Sequence, residues 1–194
     1  MRIYFDHNAT TPVEPSVAEA MSSALITTFG NPSSVHHFGQ QAKKIIDEAR
    51  SAVAELLVAR PAEIVFTSGG TESDNLAIRG IADLAATTNG RRHLITSAIE
   101  HDAVLKTINT LGKRDGWRCT ILPANKEGLV SAKHLADVID NETSIVSVMH
   151  ANNEIGTIQP IRELAAIAHD RGALFHTDSV QAAGKIPIDV KSLN

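Results

Sequence analysis

Ala173-Leu174-Phe175-His176-Thr177-Asp178-Ser179-Val180-Gln181-Ala182-Ala183-Gly184-Lys185 begins as a short apolar run with strand character and breaks into small and polar residues at Asp178. The break sets a carboxylate, and three residues later the Gln181 amide, at the carboxyl end of a buried strand. In open α/β sheets that edge is where ligands bind. A carboxylate there can hold a ring nitrogen in its protonated form. The stretch therefore poses one question to the rest of the chain, which is whether it supplies the other walls of such a site.

Working outward, Pro160 opens a helix through His169, and Gly172 ends it. Ser144 to Met149 is a nearly continuous apolar strand, as expected for one covered on both faces. Ala132 to Asp140 is a short helix, Lys126-Glu127-Gly128 a turn, and Trp117 to Pro123 a strand. A helix is expected from about His101 to Lys113, after a strand at His93 to Thr96. Ser68-Gly69-Gly70 joins a strand at Glu63 to Thr67 to a helix that starts near Thr71 and carries Leu76, Ala77, Ile81, Leu84 and Ala85. The clearest helical spacing lies between Gln40 and Val58, through Ala42, Ile45, Ile46, Ala49, Val53, Leu56 and Leu57. Before it come the loop Gly30 to Ser34, a helix from near Glu14 with Val17, Met21, Ala24 and Leu25 on one face, and a short strand from Arg2 to Asp6. Strand and helix thus alternate five times after the first arm, which argues for an α/β fold with a mainly parallel sheet and helices on both faces. No internal repeat, linker or change of composition marks a second domain.

Composition narrows the classes. A chain of 194 residues with 43% hydrophobic and 21% charged residues is ordinary for a globular protein. A net charge of -4 gives no reason to expect nucleic acid or an anionic membrane as partner. No apolar run approaches the roughly 20 residues of a membrane helix, and Asp6 and His7 stand where a signal peptide would be apolar, so the cytoplasm is the expected compartment. The nine histidines show no metal-ligand spacing, and no metal is expected. Cys119, the single cysteine, excludes an internal disulfide and lies in an expected strand, so a buried structural thiol is favoured over a nucleophile.

Four polar clusters fall just after separate expected strands. At Ser68-Gly69-Gly70-Thr71-Glu72-Ser73 two glycines let backbone N–H groups at a helix start approach an anion, and the helix dipole favours it. The stretch lacks the spacing and the Lys of a P-loop. A plain capping box, Thr71 with Asp74, explains it equally well. His101 is either a satisfied helix-start residue or a catalytic one, and Asn152 and Asn153 suit a turn as well as a site. Gly70-Thr71, His101, Asn152 and Asp178-Gln181 at one sheet edge favour a site over four unrelated turns.

Five blocks then carry a resemblance: Tyr4 to Pro12, Gly30 to His36, Phe66 to Ser73, Met149 to Gly156 and His176 to Lys185. In this order they resemble the sequence blocks of NifS/IscS-type cysteine desulfurases, pyridoxal phosphate enzymes of the class-V aminotransferase group. The resemblance implies the large domain of the aspartate-aminotransferase-like fold, incomplete over residues 14–194, with residues 1–13 as an arm belonging to the small domain. It implies pyridoxal 5'-phosphate as cofactor, with Gly70 and Thr71 on its phosphate. His101 would stack on the ring and take part in proton transfer, Asp178 would pair with the ring nitrogen, and Gln181 would bond the phenolic oxygen. Asn152 would touch the cofactor and lie near the substrate carboxylate. The implied substrate is L-cysteine, converted to L-alanine with an enzyme persulfide, and the implied partners are a sulfur acceptor or iron-sulfur scaffold protein and a second subunit in a homodimer.

The family's Schiff-base Lys follows the Asp178 block in a Ser-x-His-Lys segment, and its persulfide-forming Cys lies much further on. Neither Lys185 nor Lys191 has the matching context, and Cys119 is not that nucleophile. The sequence is therefore expected to be the N-terminal part of such an enzyme, inactive as an isolated chain and completed by a missing C-terminal part. A selenocysteine lyase, a kynureninase-like hydrolase, or a non-catalytic fragment or split subunit are the alternatives.

Overall fold

The computed structural model describes residues 2–194. Its internal contacts gather into two units that meet in sequence at Val65 and Phe66.

The first unit is helical. Helix α1, Pro15–Thr27, starts with Pro at its first position, where the missing N–H costs nothing. Val17, Met21 and Leu25, expected to form its apolar face, are exposed, and α1 buries no residue. Helix α2, His37–Leu57, is capped by His36, whose Nδ1 accepts from Gly39 N at 3.3 Å. Of the expected stripe, Ala42 is buried, whereas Ile45, Ile46 and Leu56 are exposed. Residues 2–6 are not a strand. Tyr4 Oη donates to the carbonyls of Asp6 (2.8 Å) and Thr10 (3.1 Å), so the segment folds on itself and no ladder forms. The strand expected at Glu63 to Thr67 is also absent: Pro61–Glu63 is a 3-10 turn closed by reciprocal Arg60 and Glu63 bonds. The Ile64 carbonyl receives the Arg50 guanidinium where a neighbouring strand would have been.

The second unit is the expected α/β layer structure. Helix α3 spans Gly70–Thr88, followed by β1 (His93–Ser97), α4 (Asp102–Leu111), β2 (Arg118–Leu122), α5 (Ala132–Val138), β3 (Thr143–Ser147), α6 (Ile161–Asp170) and β4 (Leu174–His176). The four strands are parallel in the order β2-β1-β3-β4. Alternate residues of each strand feed two cores. Leu94 and Ile145 pack with Ile78 and Ala82 of α3 and Val104, Ile108 and Leu111 of α4. Ile95, Leu122 and Val146 pack on the other face with Leu135 of α5 and Leu164 and Ala168 of α6. β1 and β3 are buried at every residue, and apart from His93 they consist of apolar residues and small hydroxyl residues. Cys119 is half-buried rather than buried, because it lies on β2, at the sheet edge.

The amino ends of the strands are tied together. The His93 ring, fully buried, bonds Thr143 Oγ1 through Nδ1 and Thr120 Oγ1 through Nε2, both at 2.8 Å, so one side chain bridges β1, β2 and β3. Burial, and then the nearby Arg118, push its pKa down and keep it neutral, able to donate from one nitrogen and accept at the other. Arg91 adds hydrogen bonds to the carbonyls of Thr143 and Gly172.

Candidate active site

The chain leaves β1 toward β2 on one side and leaves β3 toward β4 on the other, so the strand order reverses between β1 and β3. Loops at the carboxyl ends of two such strands diverge and open a crevice between them. A cleft of about 610 Å³ lies there, lined by Ile99, Glu100 and His101 from the loop after β1 and Asn152 and Asn153 from the loop after β3.

His101 caps α4, its Nδ1 accepting from Ala103 N at 3.1 Å. That bond places the proton of the neutral ring on Nε2. Asn152 spans the crevice: Nδ2 donates to Ile99 O at 3.1 Å, while Oδ1 accepts from the N–H groups of Glu154 and Ile155, each at 3.0 Å. The residue is therefore a turn former and a tie between the two loops at once.

Asp178 is buried just beyond β4. Its Oδ1 accepts from Val180 N at 2.9 Å, and among the described residues nothing donates to Oδ2. Gln181 Oε1 accepts from Lys185 Nζ at 2.8 Å, and its Nε2 donates to no described residue. The turn that carries both lies against Gly70: a Cβ added at Gly70 would stand 2.7 Å from Val180 Cγ2.

Gly69 is the N-cap of α3, and no side chain caps that first turn. The capping box expected of Thr71 and Asp74 does not form. Glu72 instead turns back to accept from Ser68 N at 2.7 Å and from Ser68 Oγ, while Asp74 is buried with Oδ1 3.5 Å from His176 Nε2. The first turn of α3 thus keeps its dipole and unused N–H groups. The stretch before it is not one of the strands, so three of the four clusters, and not this one, follow strands.

Sequence reading passed over Glu100. Its Oε1 accepts from Ser97 Oγ and from Met149 N at 2.9 Å, and its buried Oε2 has no partner among the described residues. Burial drives its pKa up to about 7; the Ser97 and Met149 bonds oppose the rise, and the charges of Asp178 and Asp74 add to it. Its position directly before His101, in a run that leaves a buried strand, was the available signal. Thr96 Oγ1 and Thr177 Oγ1 are likewise buried without partners among the described residues. All three orphaned atoms belong to the strand ends and loops that carry the site.

The fold and this edge define a class: the chain belongs to the Aminotransferase class-V family, whose pattern matches residues 3–194. Within it, the chain is 49% identical over 191 residues to the cysteine desulfurase IscS of Dictyoglomus turgidum, covering 98% of this chain and 48% of that protein. It is 50% identical over 192 residues to the cysteine desulfurase IscS of Methanosarcina thermophila, covering 99% and 47%. A solved NifS-like protein superposes with a TM-score of 0.94 at 39% identity, over 100% of this chain and 53% of that one. A structure described as SspA in complex with cysteine gives 0.92 at 41%, over 98% and 54%. The chain spans about half the length of the curated relatives it matches.

Class-V aminotransferases and cysteine desulfurases are pyridoxal phosphate enzymes, and the donor set here fits that group. Uncapped helix N–H groups suit its phosphate, a buried carboxylate oxygen suits its ring nitrogen, and a free amide N–H suits its phenolic oxygen. Among the described residues no helix is long and apolar enough to cross a membrane.

Proposed function

We propose that this chain forms the cofactor-binding part of a cytoplasmic, homodimeric cysteine desulfurase. The complete enzyme takes sulfur from L-cysteine, leaves L-alanine, and passes the sulfur through an enzyme persulfide to an acceptor or iron-sulfur scaffold protein. Residues 14–194 belong to its large domain and residues 1–13 form an arm of the small domain, while the cofactor-linked Lys and the persulfide Cys lie outside these residues. One set of observations carries the reading: an oriented imidazole, a carboxylate oxygen and an amide N–H without described partners follow two strands at the carboxyl edge of one parallel sheet, and an uncapped helix start lies against the turn that carries the last two. The solved relative described in complex with cysteine supports the choice of substrate.

Bound here, pyridoxal phosphate supplies an electron sink for the bonds at the substrate Cα. Gly70 and Thr71 hold its phosphate at the start of α3. Asp178 Oδ2 holds the proton on the ring nitrogen, and Gln181 Nε2 donates to the phenolic oxygen. His101 covers the ring and moves a proton at Nε2, the atom its capping bond leaves free. Asn152 contacts the cofactor and orients the substrate carboxylate from a position fixed by Ile99 and the following turn.

With an added thiol to reduce the enzyme persulfide, the full-length protein should release alanine and sulfide from L-cysteine, and do so in preference to acting on selenocysteine or kynurenine. Faster turnover of either alternative, or none of cysteine, removes the reading. A substitution tests the phosphate cup separately. Gly70→Val sets a branched side chain against Val180 at the start of α3, where the phosphate would lie, so the variant should bind pyridoxal phosphate roughly tenfold more weakly in a fluorescence titration. Unchanged affinity would place the phosphate elsewhere.

A further inference from the structure

Glu100 is buried at the crevice and belongs to none of the roles above. Its Oε1 draws together two loops, accepting from Ser97 Oγ at the end of β1 and from Met149 N, two residues beyond β3. One residue past it stands His101, and three past Met149 stands Asn152, which reaches back to Ile99. The bond to Met149 and the bond from Asn152 thus form a double tie across the crevice.

The other oxygen is the informative one. Oε2 is buried and has no hydrogen-bond partner among the described residues. An ionised carboxylate would leave half its charge there unpaired, whereas the neutral acid leaves only an unpaired O–H, which costs far less to bury than a charge. The neighbouring charges point the same way. Asp178 beyond β4 and Asp74 of α3 both disfavour a further negative charge at Glu100. Asp74 is shared with His176 of β4, whose Nε2 is 3.5 Å away. His150, next to Met149, is kept neutral by burial, and His101 spends its Nδ1 on Ala103 N. No cation among these is bonded to Glu100.

We propose that Glu100 is a positioning residue that works as a neutral acid: one oxygen clasps the His101 loop to the Asn152 loop, and the proton on the other spares Asp178 a second buried negative charge beside it. The inference rests on the site reading given above, in which His101, Asn152 and Asp178 surround one cofactor.

The test uses the full-length protein with Glu100→Gln, Glu100→Asp and Glu100→Ala. Gln keeps the acceptor for Ser97 and Met149 and supplies an N–H in place of the acid proton. Visible circular dichroism of the bound cofactor reports its orientation. The Gln variant should keep the sign and at least half the intensity of that signal, while Asp, one methylene short, and Ala should lose most of it with far-ultraviolet dichroism unchanged. A Gln variant as damaged as Ala means an anion is required and overturns the proposal, as does an Ala variant like the wild type. Should the Ala variant not fold, infrared difference spectra of the cofactor-free wild type decide. They should contain a protonated-carboxyl C=O band at pH 6 that fades as pH rises through about 7 and is missing in Glu100→Gln, and no such band overturns the proposal. A wild-type protein that has the band and binds no pyridoxal phosphate overturns the site reading instead.

Discussion

Asp178→Asn in the full-length protein is expected to lower turnover of cysteine by about 10- to 1,000-fold while leaving pyridoxal phosphate bound. A carboxylate in contact with a cation shifts its pKa by about 1–3 units, so removing the charge cuts the protonated ring population by about the corresponding powers of ten where that pKa falls below the working pH. The asparagine side chain still fits and can still bond Val180 N through its oxygen, which Asp178 does at 2.9 Å. The phosphate contacts at α3 and the Gln181 amide are untouched. Binding should therefore change much less than rate. A pH titration of the cofactor's visible absorption, run beside steady-state kinetics, checks both parts. Turnover near that of the wild type would remove Asp178 from the ring nitrogen.

Measured against the wild type, Glu100→Gln should gain stability as the solution goes from acid to alkaline. The Glu100 carboxyl titrates at about 7 in the folded chain against an ordinary 4.5. Because the folded value is the higher one, the folded state binds more protons across that interval. Its stabilising contribution is whole below about 4.5 and is lost as pH rises through about 7. The full loss is about 3 kcal/mol, of which about 2 kcal/mol falls between pH 5.5 and pH 8. Glutamine does not titrate, so urea unfolding of the two proteins should show the variant's relative stability improving by about that amount over the interval. An equal difference at both pH values would mean that Glu100 does not take up its proton there. Asp140, which its bonds to Arg118 and Glu142 N hold below the ordinary carboxylate range, acts in the opposite sense and only at lower pH, outside this window.

Much of the architecture was readable because the second unit's elements carry strong local signals. Ser144 to Met149 could hardly be anything but a covered strand, and β3 runs Thr143–Ser147. The helix from about His101 to Lys113 appears as Asp102–Leu111, with His101 as its cap. The errors arose where a local pattern needs a distant partner. Ile64, Val65 and Phe66 read as a strand by composition, but a strand exists only beside another, and the Ile64 carbonyl is taken by Arg50. Thr71 and Asp74 have capping-box spacing, yet the helix begins one residue earlier, at Gly70, and Asp74 turns inward to His176. The face of α1 was legible as apolar, but exposure depends on what else is present, and it is exposed. For the site, Gly70, Thr71, His101, Asn152, Asp178 and Gln181 could be named because each sits at an element boundary visible in one dimension. Glu100 could not. Its distinction is a lone buried oxygen near Asp178 and a bond to Met149 N, and both follow from how β1, β3 and β4 come together in space.

The His93 bridge has a mechanical meaning. At the amino ends of the strands every nitrogen of that ring is matched to a threonine hydroxyl, and Arg91 braces the backbone on either side of α6. At the carboxyl ends, Thr96, Thr177 and Glu100 carry polar atoms unmatched among the described residues. Register is therefore set at the amino ends, where side-chain bonds tie the strands to one another, and the carboxyl ends are left to carry polar atoms that a ligand can match.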